Sequence, residues 1–461
     1  MASRLVCEGC GVELGLAEPY PFRCPHDGEG DVDHVLRRRL DLASIRFPRE
    51  ASEPNPFLRY RRLLWPHHVA LRHGLSDLDF QTIVRRLDRE IAAVDGYGFA
   101  VTPFARCSEL SDALGFSSTG GVWVKDETGN VSGSHKARHL FGVLLHLEVA
   151  ERAGLVDSDA RPDLAIASCG NAALAAAVLA AAGARTLQVF VPTDADPVVR
   201  ARLEELGAFV TVCPREGLPG DPAYHALVRA LADGALPFTC QGNLNGLAIE
   251  GGETLAWEIV SSGVAIDRLV VQVGGGALAS ACIQALTEAR QLGAIDRIPR
   301  VDTVQTEAAW PLKRAFEAVE ARGDSDLALR YAATHRSQFM WPWEQAPSSI
   351  AHGILDDETY DWLAVVEGML ATGGRPTVAS EDLLARANAL AQLTTGIDVD
   401  PTGSAGLAGL LALRQAGEVS DDERVAVLFT GAVRTAPHER RKDDEKLPRK
   451  RHLVAEGFRA S

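Results

Sequence analysis

Beyond Gly98 the sequence alternates between short β-branched runs and longer helical ones, and this alternation constrains the fold more than any other feature. The apolar runs fall at residues 122–124, 164–167, 187–191, 209–212, 269–273, 301–306 and 425–429. Helical patterns lie at 135–153, 172–182, 198–206, 247–261 and 279–292. A strand, a helix and a further strand in that order build a parallel sheet with helices on its faces. There are about twice as many units as one open sheet needs, which predicts an α/β protein with two parallel-sheet domains and a cleft between them. The stretch 37–98 is irregular by comparison, punctuated by Pro54, Pro56 and Pro66, with one helical pattern near 75–94.

Composition narrows the function classes. The 461 residues carry 47 Lys and Arg against 62 Asp and Glu, a net charge of −15. Such a balance argues against non-specific nucleic-acid binding, which needs a positive surface. No stretch approaches the roughly 18–20 unbroken apolar residues of a membrane helix. The first residues, MASRLVCEGC, lack the basic and apolar regions of a signal peptide. The expectation is a soluble cytoplasmic protein with neither nucleic-acid nor membrane partners. The basic cluster Arg449, Lys450 and Arg451 sits in a polar tail after Pro437 and reads as a solvated end.

Three of the eight cysteines, Cys7, Cys10 and Cys24, crowd the first 24 residues; Cys107, Cys169, Cys213, Cys240 and Cys282 are scattered. That is too sparse for a secreted disulfide scaffold, so reduced thiols are expected. Cys7-Glu-Gly-Cys10 has the spacing of one half of a zinc knuckle. The other half is incomplete: Cys24 is present, but Asp27 stands where a second cysteine belongs. His26 or His34 is left to complete a tetrahedron, and His26, beside Cys24, is taken as the fourth ligand. The alternative is a relic knuckle whose cysteines only pack. A zinc here is expected to be structural and far from the chemistry.

Four loops, each just after an expected strand, carry the residues that could do chemistry. The first is Val131-Ser-Gly-Ser-His-Lys136-Ala-Arg138, where Ser134 suits a helix N-cap and Lys136 falls in the first turn. A cation is disfavoured at the positive end of a helix, as a nucleophilic or Schiff-base lysine requires; most lysines so placed are simply solvated. The second, Ser168-Cys169-Gly170-Asn171-Ala172, offers small residues and one amide, and is equally readable as a tight strand-to-helix turn. The third, Gly274-Gly275-Gly276-Ala277, makes a phosphate cradle from backbone amides and a helix dipole. It departs from G-x-G-x-x-G, yet Glu307 follows the next strand, where a dinucleotide fold keeps a ribose-binding acid. The fourth places Thr430 at the end of the last strand, as a neutral hydroxyl or a plain turn residue.

In this order the four loops resemble the fold-type II family of pyridoxal-phosphate enzymes. That family includes threonine synthases, serine and threonine dehydratases, diaminopropionate ammonia-lyases and the tryptophan synthase β subunit. The resemblance spans roughly 102–434 and also takes in Lys125-Asp-Glu, Gly242-Asn-Leu-Asn-Gly, Glu250-Gly-Gly-Glu-Thr254 and Gly396–Ala405. It implies a knuckle-like segment at 1–36, a large cofactor domain from 37–145 and 243–461, and a small domain at 146–242 carrying the Asn loop. A homodimer acting on a small amino acid is implied as well.

The resemblance also assigns roles. Lys136 looks like the Schiff-base lysine. Gly274, Gly275, Gly276 and Ala277 match the phosphate loop, and Asn171 the residue that bonds the pyridoxal 3′-oxygen. Ser134, Ser168, Cys169, Gly170 and Ala172 fall around the substrate, and Thr430 faces the pyridine nitrogen. A hydroxyl there leaves the ring nitrogen unprotonated, a weaker electron sink that favours prompt loss of a leaving group. The expected reaction is β-elimination or β-replacement through an aminoacrylate. Threonine synthase acting on O-phosphohomoserine is the runner-up, and an NAD-dependent oxidoreductase a remote alternative. The knuckle and the 396–405 stretch look like threonine synthase. The loops do not: His135-Lys136-Ala137-Arg138, Asn171-Ala172 and the triple glycine differ from its usual motifs. Ala351-His-Gly-Ile354 resembles a dehydratase and ammonia-lyase segment.

Overall fold

The computed structural model describes residues 3–48, 52–157, 159–215 and 221–434; the tail with Arg449, Lys450 and Arg451 lies outside the described residues. Three sheets form. The first is antiparallel, in the order β2-β1-β3, from β1 (Ser3–Cys7), β2 (Glu13–Leu14) and β3 (Leu36–Leu40). No hydrophobic alternation announces β3, which reads Leu-Arg-Arg-Arg-Leu. It is held instead by Arg38, 3% exposed, which pairs with Glu250 at 2.8 Å, Glu288 at 3.0 Å and with Glu253. The irregular stretch after it contains a one-turn helix, Pro56–Arg59, a 3-10 turn at Arg61–Leu63 and the helix Trp65–Arg72 before the expected one at Asp77–Asp95.

β4 (Phe104–Cys107) and β5 (Gly121–Asp126) then begin a six-stranded sheet, interrupted by a four-stranded parallel one. The smaller sheet runs β8-β7-β6-β9, from β6 (Leu164–Ala167), β7 (Leu187–Pro192), β8 (Phe209–Cys213) and β9 (Leu236–Pro237). The chain returns as β10 (Arg268–Gln272), β11 (Arg300–Thr306), β12 (Pro376–Ala379) and β13 (Arg424–Phe429). These complete the order β12-β11-β10-β13-β5-β4, parallel except for β4 against β5. The architecture is α/β with two parallel sheets, as expected. Central strands buried on both faces explain why Leu269-Val-Val and Val425-Ala-Val-Leu-Phe are unbroken apolar runs.

Helices Lys136–Arg152, Asn171–Ala182, Pro197–Glu205, Ala248–Ser261 and Ala277–Gln291 begin and end within one or two residues of expectation. Lys136–Arg152 is buried on every side from Ala137 to Ala150. It crosses Ala248–Ser261 at a pair of glycines: a Cβ on Gly142 would stand 3.2 Å from Gly251, and one on Gly251 would collide with the Arg138 carbonyl. Backbones can approach this closely only without side chains. No described helix is long and apolar enough to cross a membrane.

Candidate active site

The start of the lysine helix is fixed from below by a buried ion cluster. Arg138 donates to Glu127 at 2.7 Å and to Glu258 at 2.6 Å, while Lys125 pairs with Glu258 and donates to the Thr102 carbonyl at 2.8 Å. All four charged groups have side chains no more than 1% exposed. Pairing is what permits such burial, since an isolated ion there is strongly disfavoured. Lys125 is thereby committed to structure, leaving Lys136 as the partly buried lysine of this loop.

The loop itself is bent. Ser132 takes φ 56°, rare for a residue with a side chain, and Gly133 follows at φ 71°. The Ser132 N–H donates to the Asp95 carboxylate at 2.8 Å. Ser134 is not the N-cap; that position falls to His135, whose side chain makes no capping bond. Ser134 is extended and bridges Gly431, and its buried hydroxyl has no protein partner. His135 donates its N–H to the Thr430 carbonyl at 3.2 Å. Burial, with the Lys136 charge added, holds His135 well below its ordinary range and pushes His139 down to about 3. Both rings are neutral beside the lysine.

Thr430 lies at the end of β13, 2% exposed. Its Oγ1 accepts from Gln272 Nε2 at 2.8 Å. That bond directs the hydroxyl proton away from Gln272, so Thr430 is set to donate to an acceptor. Gln272 is a polar residue in the fully buried strand β10, a sequence signal that could have singled it out.

Ser168, Cys169 and Gly170 lead into the helix Asn171–Ala182, with Gly170 as N-cap. The first amides of that helix, Asn171 and Ala172 among them, have no intrahelical acceptor. Asn171 Oδ1 accepts from Arg434 Nη2 at 2.6 Å, and its amide nitrogen meets the Asp400 carboxylate. Arg434 also donates to the Ser132 carbonyl at 2.8 Å. One guanidinium thus joins the lysine loop to the Asn loop. Sequence reading missed Arg434 and Asp400, although Asp400 lies in the quoted 396–405 stretch.

Gly274, Gly275 and Gly276 form a bare turn before the helix Ala277–Gln291, with Gly276 at φ +100°. A segment from Ile354 to Asp361, here called the strap, lies across it. A Cβ on Gly274 would collide with Asp356, one on Gly275 would stand 2.9 Å from the Tyr360 ring, and one on Gly276 2.9 Å from Thr359. The Gly275 N–H already serves a carboxylate, that of Asp356. Burial pushes Asp356 up to about 6 against the pull of Lys136. Asp361, 2% exposed, is pushed up to about 7 by burial and the nearby Asp33, and its Oδ2 has no hydrogen-bond partner.

The family described as pyridoxal-phosphate dependent enzymes matches residues 97–431. This chain belongs to that family. A threonine synthase of Methanocaldococcus jannaschii is 25% identical over 332 residues, covering 72% of this chain and 74% of the relative. Maize serine racemase has a similar fold, with TM-score 0.57 at 17% identity over 78% of this chain and 97% of its own. Threonine deaminase isoform 2 from Solanum lycopersicum gives 0.56 at 17% identity, over 81% and 94%. Glu307, weighed above as a ribose-binding acid, is exposed and accepts from the Glu381 N–H at 3.2 Å. The oxidoreductase alternative is set aside.

The residues of this pyridoxal-phosphate enzyme fit its cofactor. A side-chain-free cradle at a helix N-terminus already holds a carboxylate, so it suits an anion. Gly274, Gly275, Gly276 and Ala277 would hold the phosphate, Thr430 the ring nitrogen and Asn171 the ring hydroxyl. Lys136 would supply the amine.

At the N-terminus the three cysteines come together, with His26 hydrogen-bonded to Cys10 and His34, the other histidine weighed above, closing the group. Cys7, Cys10, Cys24 and His34, not His26, place their donor atoms within 4.8 Å of one another. The reason is the β1–β3 pairing, which sets Cys7 opposite Leu36 and carries the nearby His34 onto the cluster. Cys10 Sγ and Cys24 Sγ are 3.6 Å apart, as are Cys7 Sγ and His34 Nδ1.

Proposed function

We propose that this enzyme carries out β-elimination or β-replacement on a small amino acid. The observation that carries the reading is the Gln272–Thr430 hydrogen bond, which leaves the Thr430 hydroxyl proton free for an acceptor and supports the role that the resemblance gives it, facing the pyridine nitrogen. An acceptor nitrogen stays neutral, and a neutral ring favours expulsion of a leaving group over a long-lived carbanion. When bound, pyridoxal phosphate supplies the sink for the electron pair left at the α-carbon. The chain supplies the rest. The Lys136 amine takes the α-proton, and the amides of Asn171 and Ala172 hold the substrate carboxylate next to Ser168, Cys169 and Gly170. Arg434 adds positive charge on the same side.

Serine, threonine, O-acetylserine and O-phosphohomoserine are the compounds to compare. The expected outcome is a 2-oxo acid and ammonia, or a new amino acid when a thiol is added. The second reading, threonine synthase, draws support from the relative of that name. Against it, Ala172 offers no hydroxyl beside the substrate carboxylate. Efficient release of phosphate and threonine from O-phosphohomoserine would establish that second reading.

We further propose a structural zinc on Cys7, Cys10, Cys24 and His34. Tetrahedral zinc with ordinary bond lengths separates two thiolates by about 3.8 Å and a thiolate from an imidazole nitrogen by about 3.6 Å. The observed 3.6 Å and 3.6 Å suit both edges. His34 Nε2 lies 3.0 Å from the Glu29 carbonyl, an acceptor that fixes the ring for coordination through Nδ1. Elemental analysis of protein purified without chelator tests this, one zinc per chain being expected. The same reading takes the protein as a cytoplasmic homodimer. The sparse, scattered cysteines of the sequence support a reducing compartment, and sedimentation equilibrium tests the dimer.

A further inference from the structure

The cysteine cluster adjoins the residue that steadies the phosphate loop. Asp33, next in sequence to His34, is 2% exposed, and its Oδ1 accepts from Trp362 Nε1 at 3.0 Å and from Arg336 Nε at 3.2 Å. From the other side, the Cys7-Glu-Gly-Cys10 turn rests on the Asp33 backbone: a Cβ on Gly9 would stand 2.5 Å from the Asp33 carbonyl oxygen. Trp362 is fully buried and follows directly on the strap. There Asp361 N–H donates to the Gly275 carbonyl at 3.0 Å and Thr359 Oγ1 to the Gly274 carbonyl at 2.9 Å. From His34 through Asp33, Trp362 and Asp361 to Gly275, every step is a covalent bond or a hydrogen bond.

Resting on the zinc reading above, we propose that the metal on Cys7, Cys10, Cys24 and His34 sets the enzyme's affinity for pyridoxal phosphate. Zinc fixes the turn that carries Asp33, Asp33 fixes Trp362, and Trp362 holds the strap against Gly274, Gly275 and Gly276. The apolar group around the cluster is small, Cys7, Cys24 and Leu36 with Val12 and Leu14 against them, so a bound metal would add to the rigidity of the turn. The cluster, expected to be remote from the chemistry, is a support for it. Asp33 and Trp362 are positioning residues, since neither touches the phosphate loop itself.

The test titrates full-length apoenzyme with pyridoxal phosphate, following absorbance. Three forms are compared: zinc-loaded, chelator-stripped, and Cys10→Ser, which alters an exposed ligand. Trp362→Phe, which keeps a ring but loses the N–H, is titrated with its zinc in place. Loss of the metal should weaken cofactor binding roughly tenfold, the scale of one charge-assisted hydrogen bond, and added zinc should restore it in the stripped protein. Trp362→Phe should lose a similar factor, with no further loss on stripping, because both act on one path. Zinc present but cofactor affinity unchanged on its removal would overturn the coupling and leave the metal reading intact. Failure of every form to bind zinc would remove both. Should the Cys10→Ser or stripped protein unfold, unchanged affinity in zinc-loaded Trp362→Phe overturns the proposal by itself.

Discussion

Lys125 and Lys136 stand on either side of one loop and meet opposite fates. Lys125 is fully buried against Glu258 and Thr102, whereas Lys136 opens the helix beside the glycine cradle. Borohydride reduction of the loaded enzyme should therefore fix the cofactor on Lys136, and peptide mapping should find Lys125 unmodified. Lys136→Ala should lower turnover by about 100- to 10,000-fold, the usual worth of a positioned base. Asp361 makes a different prediction. Its carboxyl is raised to about 7, so the folded state binds the proton more tightly than the unfolded chain does. The penalty of burying the anion is absent below the ordinary carboxylate range, grows as pH rises, and is complete above about 7. Asp361→Asn should thus match the parent near pH 4 and be more stable at pH 8, by on the order of 4 kcal/mol. Urea unfolding at the two pH values checks this; an equal difference at both would mean the carboxylate is not buried as described.

At the scale of elements, what the sequence made legible follows the chemistry of burial. β10 and β13 lie inside a parallel sheet and read as continuous apolar runs, so they are visible without a structure. β3 is not, because its three arginines belong to a strand only through acids far along the chain, Glu250, Glu253 and Glu288. The lysine, Asn and glycine loops were legible for the same reason as the strands that precede them. The strap over the glycine loop was not, since Asp356 and Tyr360 are placed by tertiary packing and carry no local periodicity. His34 closes the cysteine cluster through strand pairing, which a spacing rule does not see. The buried ion cluster gives the element-scale prediction. Glu258→Ala strands Lys125 and takes one of the two carboxylates from Arg138, and should cost about 3–5 kcal/mol of stability by urea unfolding. Cys107→Ser, remote from this cluster, should have a much smaller effect.

At the scale of the whole molecule, the proposed site draws on loops at the ends of strands in two sheets: β6 leads to Asn171, and β5, β10 and β13 lead to Lys136, Gly274 and Thr430. A ligand held by such a site stabilises the folded chain by mass action. Pyridoxal phosphate at about 100 times its dissociation constant should add roughly 2.7 kcal/mol, seen as a rise in Tm. Gly275→Asp should lose most of that rise, since its side chain enters the cradle beside Tyr360 and Asp356. A Tm that climbs equally in the variant would place the phosphate elsewhere. The order of the four loops is what made the family legible, whereas the contacts between the sheets were not, because they join residues with no pattern in common.

Arg434 gives one of those contacts an unusual standing. It is the last residue the structure describes, and its guanidinium spans Ser132 of the lysine loop and Asn171 of the other sheet. Arg434→Ala keeps every strand and helix named above, so its circular dichroism should match that of the parent. What it loses is the tether between the lysine loop and the Asn loop. Such a variant would pass as intact in every test of folding and fail as an active-site lesion in an assay, with the Michaelis constant raised in a protein that otherwise looks whole.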